Sequence, residues 1–331
     1  MSAFLRRLRK RRLIIVVFIL SLPTCRATSG NDTLHVDYAT RRAVALPTEP
    51  ARLLSYLQSE IAASDSRLSE EKRGESRGIV RVIYVHGTPG SAKQWKHYLS
   101  RPVAGTISVA PDRLGFGGSA NAPDMHAVPS FAAQATSLAP LLRDETYGNP
   151  MRTEILDSRG TSVPRQRIKN ILVGHSLGGP IVAWMAADYP DLVDAIVIIS
   201  GSLDPDLESP QWYNRVAAFP FVHMLLPRAL AISNDEILAA PRETALLREK
   251  ITHVRCPVFI LHGEKDSLVP IGNVAFMRAS FVNAAHVEAE VLAGADHFII
   301  WTDAARVRTI IQKCVDQILA ASSAGSHAPR R

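Results

Sequence analysis

The chain has 331 residues, 47% hydrophobic and 21% charged, a composition that supports a large buried core and excludes disordered, collagen-like and disulfide-framework classes. Its net charge of +7 is local: seven cations and no acid lie in residues 1–27, which leaves 38 − 7 = 31 basic against 31 acidic residues elsewhere. A folded part without net charge lacks the basic footprint of a nucleic-acid binder, so no nucleic-acid partner is expected.

Residues 1–27 open on Arg6, Arg7, Arg9, Lys10, Arg11 and Arg12, pass into an apolar stretch at 13–22, and close at Pro23. Ten residues are too few to cross a bilayer, which takes about 20, so the segment reads as a secretory signal rather than an anchor. Either way the basic end stays in the cytoplasm and the remainder is exported. Leu22-Pro23-Thr24-Cys25 resembles a bacterial lipoprotein box, in which Cys25 carries a lipid that ties the chain to a membrane. Cys25-Arg26-Ala27 fits small-x-small cleavage equally, and both readings stay open.

Residues 28–78 form an N-terminal extension. Leu53, Leu54, Leu57 and Ile61 have helical spacing, which predicts a helix over 50–62, and the charged tract 64–77 reads as a solvated loop. From 79 onward short apolar runs at 79–85, 106–110, 171–173, 192–199, 257–261 and 287–292 predict strands. Helical patterns at 130–143, 179–189 and 304–321 fall between or after them. Apolar strands separated by helices predict an α/β architecture with a mainly parallel sheet covered on both faces. Residues 144–170 read as a surface insertion. Residues 203–250, with Trp212, Tyr213, Phe219, Phe221 and Met224, read as a small helical cap. The core is then 79–202 with 251–321, and 322–331 is a flexible tail.

The chemistry centres on Gly174-His175-Ser176-Leu177-Gly178, a G-x-S-x-G pattern between an apolar strand and a helix. In that setting a sharp turn lifts a serine hydroxyl above the sheet as a nucleophile. Serine needs a base, and the base needs an orienting acid. Asp266 follows the strand at 257–261, and His297 follows the strand at 287–292, giving the order Ser, Asp, His. Asp204, after the 192–199 strand, competes for the acid role. An oxyanion needs backbone N–H donors. Leu177 supplies one and the loop His86-Gly87-Thr88-Pro89-Gly90 the other, with Thr88 the best donor because Pro89 has no N–H. No His-Glu-x-x-His or Cys/His cluster calls for a metal, and no cofactor is implied. In an oxidising compartment Cys256 and Cys314 either pair or remain two buried thiols.

The elbow, the His86-Gly87-Thr88-Pro89-Gly90 loop and Asp112-Arg113-Leu114-Gly115-Phe116-Gly117-Gly118-Ser119 together resemble the α/β-hydrolase superfamily, over about residues 79–321. The resemblance implies the α/β-hydrolase fold, a triad of Ser176, Asp266 and His297, oxyanion donors at Thr88 and Leu177, and a short cap at 203–250 over a pocket for a small acyl substrate. One departure stands out: such folds usually open with an antiparallel hairpin, where this chain has a helical pattern. Epoxide hydrolases and haloalkane dehalogenases resemble the chain around the first loop but use an aspartate nucleophile, which Ser176 disfavours. Acyl transfer to water is what remains, with a carboxylester as the default. Perhydrolysis, carbon–carbon and amide hydrolysis share the same residues. The rival class is a non-enzymatic ligand binder, which has no use for all three triad positions.

Overall fold

The chain enters the fold through antiparallel strands β1 (His35–Val36), β2 (Ala39–Leu46) and β3 (Arg52–Gln58), with β2 and β3 paired from Thr40↔Gln58 to Leu46↔Arg52. This corrects the helix predicted over 50–62 and supplies the hairpin whose absence the sequence pattern had implied. The reason is burial on both faces of β3: Leu54 and Tyr56 pack into one core layer and Leu57 into the other. A strand covered twice loses its apolar–polar alternation, and its leucines then imitate helical spacing. The computed structural model describes residues 35–36, 39–46, 52–59, 80–119, 129–143, 154–156, 162–164 and 167–325. The basic and apolar start, Cys25 and the 64–77 tract lie outside them.

β3 pairs antiparallel with β5 (Thr106–Pro111), which begins a run of six parallel strands. With β4 (Val80–Val85), β8 (Lys169–His175), β9 (Ala195–Ile199), β10 (Val258–Gly263) and β11 (Val287–Leu292), the order across the sheet is β1-β2-β3-β5-β4-β8-β9-β10-β11. The insertion at 144–170 contains a separate two-stranded antiparallel ribbon, β6 (Glu154–Leu156) with β7 (Ser162–Pro164). Successive residues of the central strands feed opposite layers. Val80, Val82 and Tyr84, Ile171 and Val173, and Phe259 and Leu261 pack on one side; Ile83 and Val85, Leu172, and Val258 and Ile260 pack on the other.

Helices cover both faces. α1 (Lys96–Ser100), α8 (Ile299–Thr302) and α9 (Ala304–Gly325) lie on one, through Tyr98, Ile300, Val307 and Ile311. α2 (Phe131–Leu138), α3 (Gly178–Asp188) and α7 (Gly272–Ser280) lie on the other, through Phe131, Leu138, Ile181, Val274 and Met277. Ser130 caps α2 by accepting the Ala133 N–H. α9 continues to Gly325, past the predicted boundary at 321. Between β9 and β10 stand α4 (Trp212–Ala217), α5 (Pro220–Leu225) and α6 (Arg228–Lys250), where the cap was predicted. Leu247 of α6 reaches the core, so the last turns of α6 belong to the body of the molecule. Cys256 and Cys314 are free thiols, and burial pushes Cys256 up to about 12. Among the described residues no helix is long and apolar enough to cross a membrane.

Candidate active site

The predicted site residues leave the sheet at the same edge, the carboxyl ends of β4, β8, β10 and β11, where α/β sheets bind ligands. Ser176 follows β8 with φ 54°, a left-handed conformation that serine enters at a cost of about 1–3 kcal/mol. The turn is held because the Ser176 N–H donates to Ile199 O at 3.0 Å and the Gly179 N–H to Ser176 O at 2.9 Å. Ser176 is half-buried while residues on either side of it are buried, so it stands at the mouth of the elbow.

Close backbone approach joins the two loops expected to form an oxyanion hole. A Cβ on Gly87 would lie 2.8 Å from Ser176 Cβ, and one on Gly178 would collide with the Val85 carbonyl. Both contacts require glycine. The Gly87-Thr88 loop therefore sits directly against the turn carrying Ser176 and Leu177. The Thr88 hydroxyl is buried with no hydrogen-bond partner among the described residues. Leu177 opens α3, where backbone N–H groups lack intrahelical partners.

Asp266 and His297 come from the loops after neighbouring strands. Those loops are laced together by Glu264 N–H to Leu292 O at 3.0 Å and Lys265 N–H to Ala295 O at 2.8 Å. His297 Nδ1 lies 2.7 Å from Asp266 Oδ2, while Asp266 Oδ1 accepts the N–H groups of Leu268 at 2.9 Å and Val269 at 2.8 Å. Burial pushes the Asp266 carboxyl up, but the His297 hydrogen bond and charge and the Val269 N–H outweigh it and hold it below its ordinary value. Asp204 is not brought to His297. Its carboxylate accepts from the Asp206 N–H at 3.0 Å and faces Arg248 at 3.4 Å, and its own N–H is held by Asn273 Oδ1 at 2.8 Å.

Three further histidines surround these residues as neutral braces. His175 Nε2 donates to the His297 carbonyl at 3.1 Å, and its ring lies 4.9 Å from that of His297. Burial, and then the neighbouring His297, lower its pKa to about 3. His262 Nε2 donates to Val269 O at 3.0 Å, and burial lowers its pKa too. His86 donates from Nδ1 to Gly87 O at 2.8 Å and accepts the Arg113 N–H at Nε2, 3.0 Å, so it carries its proton on Nδ1. Burial and Arg113 hold it well below the normal range. Among the described residues no group of three or more His, Cys, Asp or Glu is placed to hold a metal ion.

A family model described as "alpha/beta hydrolase fold" matches residues 80–225. Protein ABHD8 of Mus musculus is 32% identical over 140 residues, 41% of this chain and 27% of that protein, so the chain spans about a quarter of the length of such relatives. A putative lipase from Acinetobacter baumannii AYE superposes with a TM-score of 0.60 at 14% identity, over 88% of this chain and all of that one. A putative aryl esterase from Burkholderia cenocepacia gives 0.59 at 19%, over 84% and 100%. The chain has the α/β-hydrolase fold. Identities this low carry the fold, and the sheet order agrees with it.

Two residues of this fold had no role assigned from the sequence. Arg113, from the loop after β5, donates to the carbonyls of His86 and Gly87, each at 2.9 Å, and pairs with Glu236 of α6 at 2.5 and 3.0 Å. Both side chains are buried. One guanidinium thus fastens the cap helix to the loop that precedes Thr88. Arg113 was visible inside the Asp112–Ser119 segment, but Glu236 lies 123 residues away with no local signal. Asp112 is structural: it accepts the N–H groups of Ala92 and Gly118 and pairs with Arg41 of the hairpin at 2.6 Å.

Proposed function

We propose that the chain is a serine hydrolase that cleaves a carboxylester or related acyl bond through an acyl-enzyme on Ser176. The observation that carries this reading is the 2.7 Å Asp266–His297 pair, braced by His175 against the strained turn of Ser176. With its Nδ1–H donated to Asp266, His297 keeps the Nε2 lone pair for a proton. Ser176 Oγ attacks the carbonyl carbon and its proton passes to His297 Nε2; the carbonyl π electrons become an oxyanion facing the Leu177 and Thr88 N–H groups. Collapse expels the alcohol, which takes the proton from His297. Water then repeats the sequence on the acyl-enzyme and releases the acid. A Ser–His–Asp set of this kind needs no metal or cofactor.

The lipase and esterase named among the structural relatives support an ester substrate of apolar character. The basic-then-apolar start supports export, with membrane attachment if Cys25 is lipidated. A fluorophosphonate probe is expected to label the wild-type chain and not Ser176→Ala; a folded wild type that stays unlabelled refutes the proposal. A panel of p-nitrophenyl esters of rising chain length then defines the acyl preference. For export, the mature N-terminus read by mass spectrometry is expected at Thr28 or at lipidated Cys25, and an intact Met1 in exported protein counts against both.

A further inference from the structure

The cap is amphipathic in the wrong sense for a solvated hairpin. α4 buries one residue, the polar Asn214, and α5 buries none. Asn214 is pinned to Asn234 of α6 by two hydrogen bonds of 3.0 Å, and His223 of α5 to Asp235 at 3.1 Å. The polar groups thus attach the hairpin to α6 while its apolar side chains point outward. Trp212 is 65% exposed, Phe219 62%, Phe221 70%, Met224 71% and Leu225 66%, with Tyr213 and Val216 beside them. Scattered exposed apolar residues are ordinary, but six on two consecutive short helices and Phe219 between them mark an interaction surface.

The charges around the patch select its partner. Exposed Arg215 of α4 and Arg228, the first residue of α6, flank the hairpin, and residues 209–234 contain no Asp or Glu. Aromatic and aliphatic side chains with cations at their margin match the boundary between acyl chains and anionic headgroups. A symmetric contact with a second copy would instead cover these arginines with a face whose residues 209–234 offer no acidic partner. We propose that the α4–α5 face of the cap docks on an anionic lipid bilayer, with Trp212, Phe219, Phe221 and Met224 in the acyl boundary and Arg215 and Arg228 at the phosphates. Docking itself is independent of catalysis. Its corollary, that the ester is an apolar one drawn from the bilayer, rests on the hydrolase reading above.

Trp212 reports on this directly, because Trp95 and Trp184 are buried and the signal of Trp301 is isolated in Trp212→Phe. The full chain is mixed with vesicles of phosphatidylcholine and phosphatidylglycerol, with and without brominated acyl chains. Emission from Trp212 is expected to shift blue and to be quenched by the brominated lipid. In Phe221→Asp/Met224→Asp the quenching is expected to fall on the order of tenfold, even where the N-terminal segment keeps the chain on the vesicle. Circular dichroism and the melting temperature check that this variant is folded. Wild-type chain that sediments with vesicles while Trp212 remains unshifted and unquenched overturns the inference. So does a lipid-free dimer in analytical ultracentrifugation that already shields Trp212. Ser176→Ala is expected to dock like wild type; wild-type chain that docks but stays unlabelled by the fluorophosphonate refutes only the enzyme reading, and wild-type chain that is labelled but does not dock refutes only this one.

Discussion

Replacing Glu236 with Ala tests the fastening of cap to loop. The substitution leaves the Arg113 guanidinium buried, without its carboxylate partner, and removing one member of a buried pair costs about 3–5 kcal/mol. Arg113 keeps its bonds to the carbonyls of His86 and Gly87, which places the expected loss near the lower figure, ~3 kcal/mol. Arg113→Met strands the Glu236 carboxylate and the His86 carbonyl, the Gly87 carbonyl keeping its bond from His86 Nδ1–H, and the double variant Arg113→Met/Glu236→Ala strands only the His86 carbonyl, at ~1 kcal/mol. The two single losses are therefore expected to exceed the double loss by at least about 2 kcal/mol, measured by urea unfolding of all four proteins near pH 7. The same clamp steadies the loop before Thr88, so Glu236→Gln is expected to lower kcat about tenfold while KM changes less than about twofold, a fraction of the 10²–10³ lost with a whole oxyanion donor. Additive single losses, or a Glu236→Ala cost under ~1 kcal/mol, refute the clamp; a rise in KM at constant kcat refutes its link to the oxyanion loop.

Asp266→Asn is expected to lower kcat on the order of 10³–10⁴-fold by removing the acceptor that fixes the His297 tautomer, with Asp204→Asn changing it less than about threefold; steady-state kinetics on a soluble ester separate the two. Ser176→Gly relieves the left-handed strain, so it is expected to be ~1 kcal/mol more stable than Ser176→Ala in urea unfolding, and equal stability would mean the turn is unstrained. His175 has its pKa lowered from 6.5 to about 3, so its unfolded form takes up a proton that the folded form refuses. Its contribution to stability is therefore full above pH 6.5 and lost as pH falls toward 3, at up to ~1.4 kcal/mol per pH unit. His175→Gln is expected to flatten the acid limb of stability against pH by that amount, and an unchanged slope means that His175 titrates normally in the fold.

Much of this molecule is written in short stretches of its chain. β8, the elbow and α3 lie within 20 consecutive residues, and β10 leads to Asp266 and β11 to His297 within five residues of each strand's end. A short apolar run bounded by turn residues favours a buried strand, a glycine-flanked serine after it favours a tight turn, and local sterics act over just such distances. That made the parallel core legible, and with it the strand ends from which Ser176, Asp266 and His297 leave the sheet. Other features depend on what packs against a residue from far away. β3 became a strand because its leucines and Tyr56 are covered on both faces and it pairs with β5, which no helical spacing within 50–62 reveals. The choice between Asp266 and Asp204 fell to geometry, since β11 lies beside β10 and brings His297 to one carboxylate while Arg248 engages the other. Glu236 found Arg113 across 123 residues because a buried guanidinium demands a counter-charge wherever the fold supplies one. Sequence alone determined the chemistry available at each strand end; tertiary packing decided which of those groups meet.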